Sequence, residues 1–258
     1  MKKIIAFSGK GGVGKTTSLA LFLKYILETK NKLDILVIDS DPDANIADVI
    51  GEEVQFCDTI GGKMKILKDK IQKRQLPLDV PKNQIIEGDV YKCLIEMNEF
   101  DLLEMGRQEG EGCYCYINSV LKNVIDTLSK NYDITLLDSP AGLEHFARKT
   151  GRDVTDLVIV TDPSKMGIHT LTRILDITKE LNLKFENIWV LGNRFPENLR
   201  GILEKEVENI NQQNLKLLGF ISNNDEISTI NLTGGNLLDL SRDNYSYQEA
   251  KEIYAKII

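Results

Sequence analysis

A glycine-rich stretch near the start of the chain carries the residue types that bind phosphate. It runs from Gly9 to Thr17 as GKGGVGKTT, directly after the apolar run Ile4–Phe7 and before a helical pattern. Glycines let backbone N–H groups converge on phosphate oxygens without obstruction by a Cβ, and a helix N-terminus adds the positive end of its dipole. The spacing therefore predicts a phosphate-binding loop between a strand and a helix.

Different residues of this loop are expected to bind different parts of a nucleotide and its metal ion. Lys15 should reach the β- and γ-phosphates, and the Thr16 hydroxyl should be a ligand of Mg²⁺. The remaining positions should surround the phosphates with backbone N–H groups. These positions are Gly11, Gly12, Val13, Gly14 and Thr17.

Carboxylates follow two further apolar runs. Ile35–Ile38 leads into Asp39 and Asp41, and Ile134–Leu137 leads into Asp138. The carboxyl ends of parallel strands face the crevice in which phosphates bind, so these side chains should meet the loop. We expect Asp138 to hold Mg²⁺, Asp39 to support the outer shell of the metal, and Asp41 to orient or deprotonate the attacking water.

A later apolar run, Ile188–Leu191, is followed by Gly192, Asn193 and Arg194. An amide at this place can pair with both a donor and an acceptor position of adenine, so Asn193 and Arg194 are candidate base contacts. The alternative is an asparagine that only shapes the turn after the strand.

Two cysteines stand almost side by side, at Cys113 and Cys115. Two thiolates on one short loop can point at one ion, but a structural zinc site needs about four ligands. Two copies of the pair across the axis of a homodimer would supply four sulfurs. A redox pair and two thiols without a role remain alternatives. We interpret Cys57 and Cys93, each standing alone, as structural.

The composition is that of an acidic globular protein. The chain has 258 residues, and 32 Lys and Arg against 39 Asp and Glu give a net charge of −7. A nucleic-acid partner is disfavoured because phosphate contacts need a positive surface. No apolar run reaches the roughly 18 residues that span a bilayer, and glycines follow Ile4 too soon for a signal peptide. We therefore expect a cytoplasmic protein without stable membrane insertion, whose cysteines are reduced or bind metal.

Short apolar runs alternate with helical patterns along the chain. The runs lack the in-and-out alternation of half-buried strands, which favours a parallel sheet covered on both faces. This order predicts an α/β fold, with a doubly wound, mostly parallel sheet and helices on both faces. We expect one domain over residues 1–258, with Gln84–Glu87 as a possible further strand. The predicted strands are Ile4–Phe7, Ile35–Ile38, Ile134–Leu137, Leu157–Val160, Ile188–Leu191 and Leu217–Ile221, and the helical patterns are Leu19–Leu27, Ile117–Leu128 and Ile168–Leu181.

Together these residues resemble the MinD/ParA-like deviant Walker A ATPases, a P-loop family. Within that family the chain is most similar to the ATPases that mature carbon monoxide dehydrogenase. The loop is typical of the whole family, whereas the Cys-x-Cys segment and the residues after Asp138 are more specific to the maturation group. The segments that carry the resemblance are 9–17, 39–45, 112–115, 138–145, 162–164, Asn193 and 219–226.

The resemblance implies an ATPase that works as a nickel chaperone. Lys10 would contact nucleotide across a dimer interface, and ATP binding would close the homodimer. The Cys113 and Cys115 pairs would hold Ni²⁺ or Zn²⁺, and hydrolysis of ATP to ADP and phosphate would accompany delivery of the metal. The client would be a nickel enzyme such as carbon monoxide dehydrogenase or acetyl-CoA synthase.

Two other functions remain open. One is a positioning ATPase that acts on a membrane or DNA, although the predicted C-terminal helix Tyr247–Ile258 is not strongly basic. The other is a reductase or carrier that holds an iron–sulfur cluster between two subunits.

Overall fold

One eight-stranded sheet forms the centre of the protein. The computed structural model describes residues 2–30, 32–41, 45–75, 82–106, 127–140, 154–210 and 212–258, with backbone alone for 82–84, 86 and 87. The strands in these ranges are β1 Lys3–Ser8, β2 Ile35–Asp39, β3 Ile95–Glu96, β4 Asp101–Glu104, β5 Ile134–Asp138, β6 Asp156–Thr161, β7 Asn187–Asn193 and β8 Leu215–Ile221.

The strands lie in the order β3-β4-β2-β5-β1-β6-β7-β8. All neighbours pair in parallel except β3 and β4. Strands β2 to β5 lie on one side of the central β1, with β5 inserted between β2 and β1, and β6 to β8 follow in order on the other side. The predicted doubly wound fold is confirmed. Each of the six predicted apolar runs lies within a strand.

Helices cover both faces of this sheet. One apolar layer joins the sheet to α1, α2, α7 and α8, and the other joins it to α3, α4, α5 and α6. Successive strand residues alternate between the two layers, which explains why the runs are apolar throughout. The helices of the described ranges are α1 Lys15–Thr29, α2 Ile46–Val49, α3 Ile60–Gln72, α4 Lys82–Tyr91, α5 Lys165–Glu180, α6 Glu197–Asn209, α7 Asp225–Thr233 and α8 Tyr245–Tyr254.

The strand predicted at Gln84–Glu87 is wrong, because these residues lie inside α4. Two adjacent isoleucines fit either a strand or one turn of a helix, so the local pattern could not decide. Val90 and Cys93 continue the apolar surface and are buried in the same layer that Ile85 contacts. Ile85 and Val90 lie within α4, and Cys93 follows shortly after the helix ends at Tyr91.

The first and last helices pack tightly against each other. The Phe22 and Tyr254 ring centroids lie 4.8 Å apart, and the Tyr254 hydroxyl donates to the Ser18 carbonyl at 2.8 Å. The predicted C-terminal helix is thus present as α8, with its apolar face inside the core. Among the described helices, none combines the length and the apolar character needed to cross a bilayer.

The register of the sheet brings three strand ends to one place. Asp138 of β5 pairs with Phe7 of β1 on one side and with Asp39 of β2 on the other, and Asp39 pairs in turn with Glu104 of β4. The glycine-rich loop leaves β1 at this same edge. Parallel pairing therefore positions the loop and the carboxylates together, as the sequence predicts.

Candidate functional site

At two positions the glycine-rich loop lies too close to other parts of the chain to carry a side chain. A Cβ on Gly9 would lie 2.2 Å from the Val160 carbonyl oxygen, and one on Gly14 would lie 2.3 Å from Asn193 Nδ2. Gly14 also has a φ of 90°, in the left-handed region, immediately before α1 begins at Lys15. The glycines are thus required by the shape of the loop.

Two side chains of the loop lie beside the end of β5. Thr16 Oγ1 donates to Asp138 Oδ2 at 2.5 Å, and the Lys15 side chain is close enough to interact with the Asp138 charge. Lys15 and Asp138 are both buried. Thr16, Lys15 and Asp138 therefore come together as predicted from the sequence.

The second carboxylate oxygen of Asp138 is orphaned. Oδ1 is buried and has no hydrogen-bond partner among the described residues. Burial raises the pKa of Asp138, and the neighbouring Asp39 charge raises it further. A buried oxygen beside a hydroxyl and a second carboxylate is a donor set that suits Mg²⁺, so these residues fit the metal that the loop implies.

Asp39 holds the backbone that follows it, and its predicted place in the outer shell of the metal stays a prediction. Its oxygens accept the N–H groups of Asp41 at 2.9 Å, Asn45 at 2.7 Å and Ile46 at 2.9 Å. Burial raises the pKa of Asp39 although these three bonds lower it. Asp39 thus holds the loop that carries Asp41 and caps the start of α2, while Asp41 itself is half-buried.

Sequence reasoning missed a third acidic residue at this edge, Glu104. It is buried at the end of β4, and its Oε1 accepts the N–H of Ala47 at 3.1 Å. Burial raises the pKa of Glu104 to about 7. The sequence signal is weak, because only Leu102 and Leu103 lead into Glu104, whereas longer apolar runs lead into Asp39 and Asp138.

Asn193 and Arg194 lie against the loop itself. Asn193 Nδ2 donates to the Val13 carbonyl at 2.7 Å, and Arg194 Nη2 donates to the Gly12 carbonyl at 2.5 Å. Both side chains therefore join the end of β7 to the phosphate loop. The predicted contact with an adenine base stays a prediction.

The outer side of the loop is more open. Gly11 and Gly12 are exposed and Lys10 is half-buried. Thr17 Oγ1 accepts a bond from Asn231 Nδ2 at 3.2 Å, which connects the start of α1 with α7. The role of Lys10 across a dimer interface stays a prediction.

The cysteines divide between described and undescribed parts of the chain. Cys113 and Cys115 lie outside the described residues, as does most of the helical pattern Ile117–Leu128. Of the two cysteines interpreted as structural, Cys93 is buried and Cys57 is exposed. Burial raises the pKa of the Cys93 thiol to about 12, which keeps it protonated. Within the described ranges, no group of three or more His, Cys, Asp or Glu side chains could hold a metal ion.

Similarity to known proteins extends over the whole chain. The AAA domain family matches residues 1–189. An uncharacterized ATP-binding protein of Methanocaldococcus jannaschii is 37% identical over 255 residues, which cover 99% of this chain and 98% of that protein. The carbon monoxide dehydrogenase accessory protein CooC of Rhodospirillum rubrum is 27% identical, over 92% of this chain and 90% of CooC.

A solved structure shows the same fold. The septum site-determining protein MinD of Pyrococcus horikoshii, complexed with Mg-ADP, is 20% identical, with a TM-score of 0.67 over 100% of this chain and 96% of MinD. At this identity the likeness concerns the fold alone. The family match and the M. jannaschii relative carry the assignment. The chain therefore belongs to the AAA domain family, and it has the fold of MinD.

Proposed function

We propose that this protein binds ATP with Mg²⁺ and hydrolyses it to ADP and phosphate. The observation that carries this proposal is the junction of Lys15, Thr16 and Asp138, where one buried oxygen of Asp138 has no hydrogen-bond partner within the described part of the chain. The M. jannaschii relative, described as an ATP-binding protein, supports ATP as the nucleotide.

Each residue of the site has a role in this reaction. Lys15 and the N–H groups of the loop would bind the phosphates, with Asn193 and Arg194 holding the loop in shape. Thr16 and Asp138 would hold Mg²⁺, which neutralises charge on the phosphates when it is bound. Asp41 would orient the attacking water and accept its proton, from a loop that Asp39 fixes through three backbone bonds.

The finer proposal is an ATP-dependent metallochaperone. Cys113 and Cys115 would bind Ni²⁺ or Zn²⁺ between the subunits of a homodimer that closes on ATP, with Lys10 reaching the partner's nucleotide. Soft thiolates bind both metals, so the ligands do not choose between them. The similarity to the accessory protein CooC supports a nickel enzyme such as carbon monoxide dehydrogenase or acetyl-CoA synthase as the client.

Replacement of Asp41 tests the ATPase. We expect Asp41→Ala to retain ATP binding and to lose hydrolysis by about 10²- to 10⁴-fold, the usual contribution of a general base. Phosphate release measures turnover and equilibrium dialysis measures binding. Asp48→Ala, which removes a carboxylate from α2, is the matched control. Wild-type turnover in Asp41→Ala would reject the assigned role.

Metal titration tests the chaperone. We expect the wild type to bind one Ni²⁺ or Zn²⁺ per dimer, and Cys113→Ser/Cys115→Ser to lose this site. Cys57→Ser, which alters an exposed cysteine, should bind as the wild type does. Equal metal in the double variant and the wild type would contradict the proposal. The visible spectrum of anaerobically purified protein would reveal an iron–sulfur cluster instead.

A positioning ATPase is the second candidate, because the fold is shared with MinD. In this chain the apolar face of α8 packs into the core, where Tyr247, Ala250 and Tyr254 are buried. This helix therefore offers no free apolar face to a lipid surface. Tight sedimentation with anionic vesicles or with DNA in the presence of ATP would favour the second candidate.

A further inference from the structure

Three neighbouring parallel strands end in buried carboxylates that share one register. Asp138, Asp39 and Glu104 stand side by side across β5, β2 and β4. The proposed reaction uses Asp138 beside the phosphates and Asp39 as the anchor of the Asp41 loop. Glu104 has no part in it so far, although 97% of its surface is removed from solvent.

Glu104 completes a set of bonds to the first turn of α2. Asp39 Oδ2 accepts the N–H groups of Asn45 and Ile46, and Glu104 Oε1 accepts the next one, from Ala47. The first N–H groups of a helix have no partner within the helix, so side chains must satisfy them. Two carboxylates on adjacent strands thus hold three consecutive donors.

The short length of α2 makes these bonds important. It has four residues, Ile46–Val49, and a helix of this length is not stable by itself. Its position depends on what holds its ends and on the burial of Ile46 and Ala47. A shift of α2 would reach Asp41 through the Asp39 carboxylate, because Oδ1 accepts the Asp41 N–H while Oδ2 accepts those of Asn45 and Ile46.

The strand that carries Glu104 is itself firmly attached. The Met105 N–H donates to the Asp39 carbonyl at 2.8 Å, and the Gly61 N–H donates to the Met105 carbonyl at 2.8 Å. The end of β4 is thereby fixed to β2 and to the start of α3. Glu104 acts from a rigid support.

We propose that Glu104 is a positioning residue for ATP hydrolysis, which holds the start of α2 so that the loop with Asp41 keeps its place. It acts through the loop and does not touch the substrate. This inference rests on the proposed ATPase function and on the role assigned there to Asp41.

Kinetics of two substitutions test this role. We expect Glu104→Ala to lower kcat about 10-fold or more, with KM changed by less than about twofold, because a displaced catalytic group slows the chemical step. Glu104→Gln keeps an oxygen that can accept from Ala47, so it should restore at least half of the wild-type kcat. If Glu104→Ala only destabilised the fold, its kcat would equal that of Glu104→Gln when both variants are assayed at the same interval below their melting temperatures.

Asp156→Ala is the matched control. Asp156 is also a fully buried carboxylate, but it lies at the opposite edge of the sheet and accepts a bond from Trp189 Nε1 at 2.9 Å. The variant should lose stability as Glu104→Ala does and yet keep its kcat. If the two alanine variants have the same kcat per folded molecule, Glu104 is not a positioning residue.

Hydrogen exchange separates a failure of this proposal from a failure of the ATPase. In protein without nucleotide, the amides of Asp41 and of residues 45–50 should exchange at least about tenfold faster in Glu104→Ala than in Glu104→Gln or Asp156→Ala. Unchanged exchange in Glu104→Ala overturns the positioning role. If Glu104→Ala exchanges faster as expected but the wild type does not turn over ATP, the proposed ATPase function is wrong. In that case Glu104 has no role in hydrolysis either.

Discussion

Two aspartates at opposite ends of the central parallel strands are equally buried but have different surroundings. At the start of β6, Asp156 accepts bonds from Trp189 Nε1 at 2.9 Å and Asn187 Nδ2 at 3.1 Å, and its other oxygen lies 3.6 Å from Lys3 Nζ. At the end of β5, Asp138 accepts one bond, from Thr16, and lies beside the like charge of Asp39.

The difference separates a structural carboxylate from one prepared for a ligand. Among the described residues Asp156 Oδ2 also lacks a hydrogen bond, but two donors reach Oδ1 and the Lys3 ammonium faces Oδ2, so the charge of Asp156 is compensated within the fold. The charge of Asp138 is compensated only in part by Lys15, while burial and another acid oppose it. A buried acid that the fold leaves incompletely paired is a candidate for function, whereas burial by itself is not.

Removing the negative charge of Asp138 and, separately, that of Asp156 is the strongest test of this comparison. Asp138→Asn should lower kcat/KM for MgATP by roughly 10³-fold, since a metal ligand contributes several kcal/mol to the stabilisation of charge. Asp156→Asn should leave kcat/KM within about twofold of the wild type. ATP turnover at increasing Mg²⁺ concentration measures both variants. Similar losses in the two would show that the edges do not differ in this way.

A smaller effect is expected in the pH dependence of stability, from Glu104 at the same end of the strands as Asp138. The pKa of Glu104 is raised from 4.5 to about 7 by burial, so the folded state binds more protons than the unfolded state within this window. Stability therefore falls as the pH rises from about 4.5 to about 7. Glu104→Gln should remove up to ~3 kcal/mol of this fall.

Urea denaturation at pH 5 and pH 8, without Mg²⁺ or nucleotide, measures this effect. Relative to the wild type, Glu104→Gln should gain stability at pH 8 and not at pH 5. A constant difference between the two proteins at both pH values would contradict the raised pKa.

The smallest expected effect is on stability, at the hydrogen bond between Trp189 and Asp156. Trp189→Phe keeps the ring packing but removes the N–H donor to Asp156, at a cost of about 1–2 kcal/mol in the free energy of unfolding. Trp189 is the one tryptophan of the chain, so the variant has no tryptophan fluorescence to follow. Unfolding in urea is therefore measured by far-UV circular dichroism. ATP turnover per folded molecule should not change, and a loss of turnover would mean that the two edges are coupled.

Local patterns were enough to predict the loop and two of its acidic neighbours. Gly9 to Thr17 lies directly after a strand, and Asp39 and Asp138 each end an apolar run, so the parallel register brings them together. Glu104 ends a run of only two leucines on the short strand β4. Because its relation to the site depends on the pairing of β4 with β2, the chain order alone did not reveal it.

Other features depend on contacts that no local pattern contains. The sequence predicts that Asp39 supports the metal shell, but it does not reveal that the Asp39 carboxylate accepts the N–H groups of Asp41, Asn45 and Ile46. The amide of Asn193 fits a base in principle, yet its Nδ2 contacts Val13, which is 180 residues away along the chain. Residue type predicts what a group can bind, and the fold decides what it meets first.

The contact between Asn193 and Val13 also bears on how the protein is made. A ribosome completes the phosphate loop early, but the donors on β7 and the Tyr254 hydroxyl that reaches Ser18 of α1 are synthesised much later. Such non-local contacts close slowly, since the entropy of a long chain segment must be lost first. A nascent chain that ends at residue 189, the last residue of the family match, would contain the whole phosphate-loop motif without these supports. Acquisition of nucleotide affinity during translation would then report the completion of the sheet, and would arrive only with the last third of the chain.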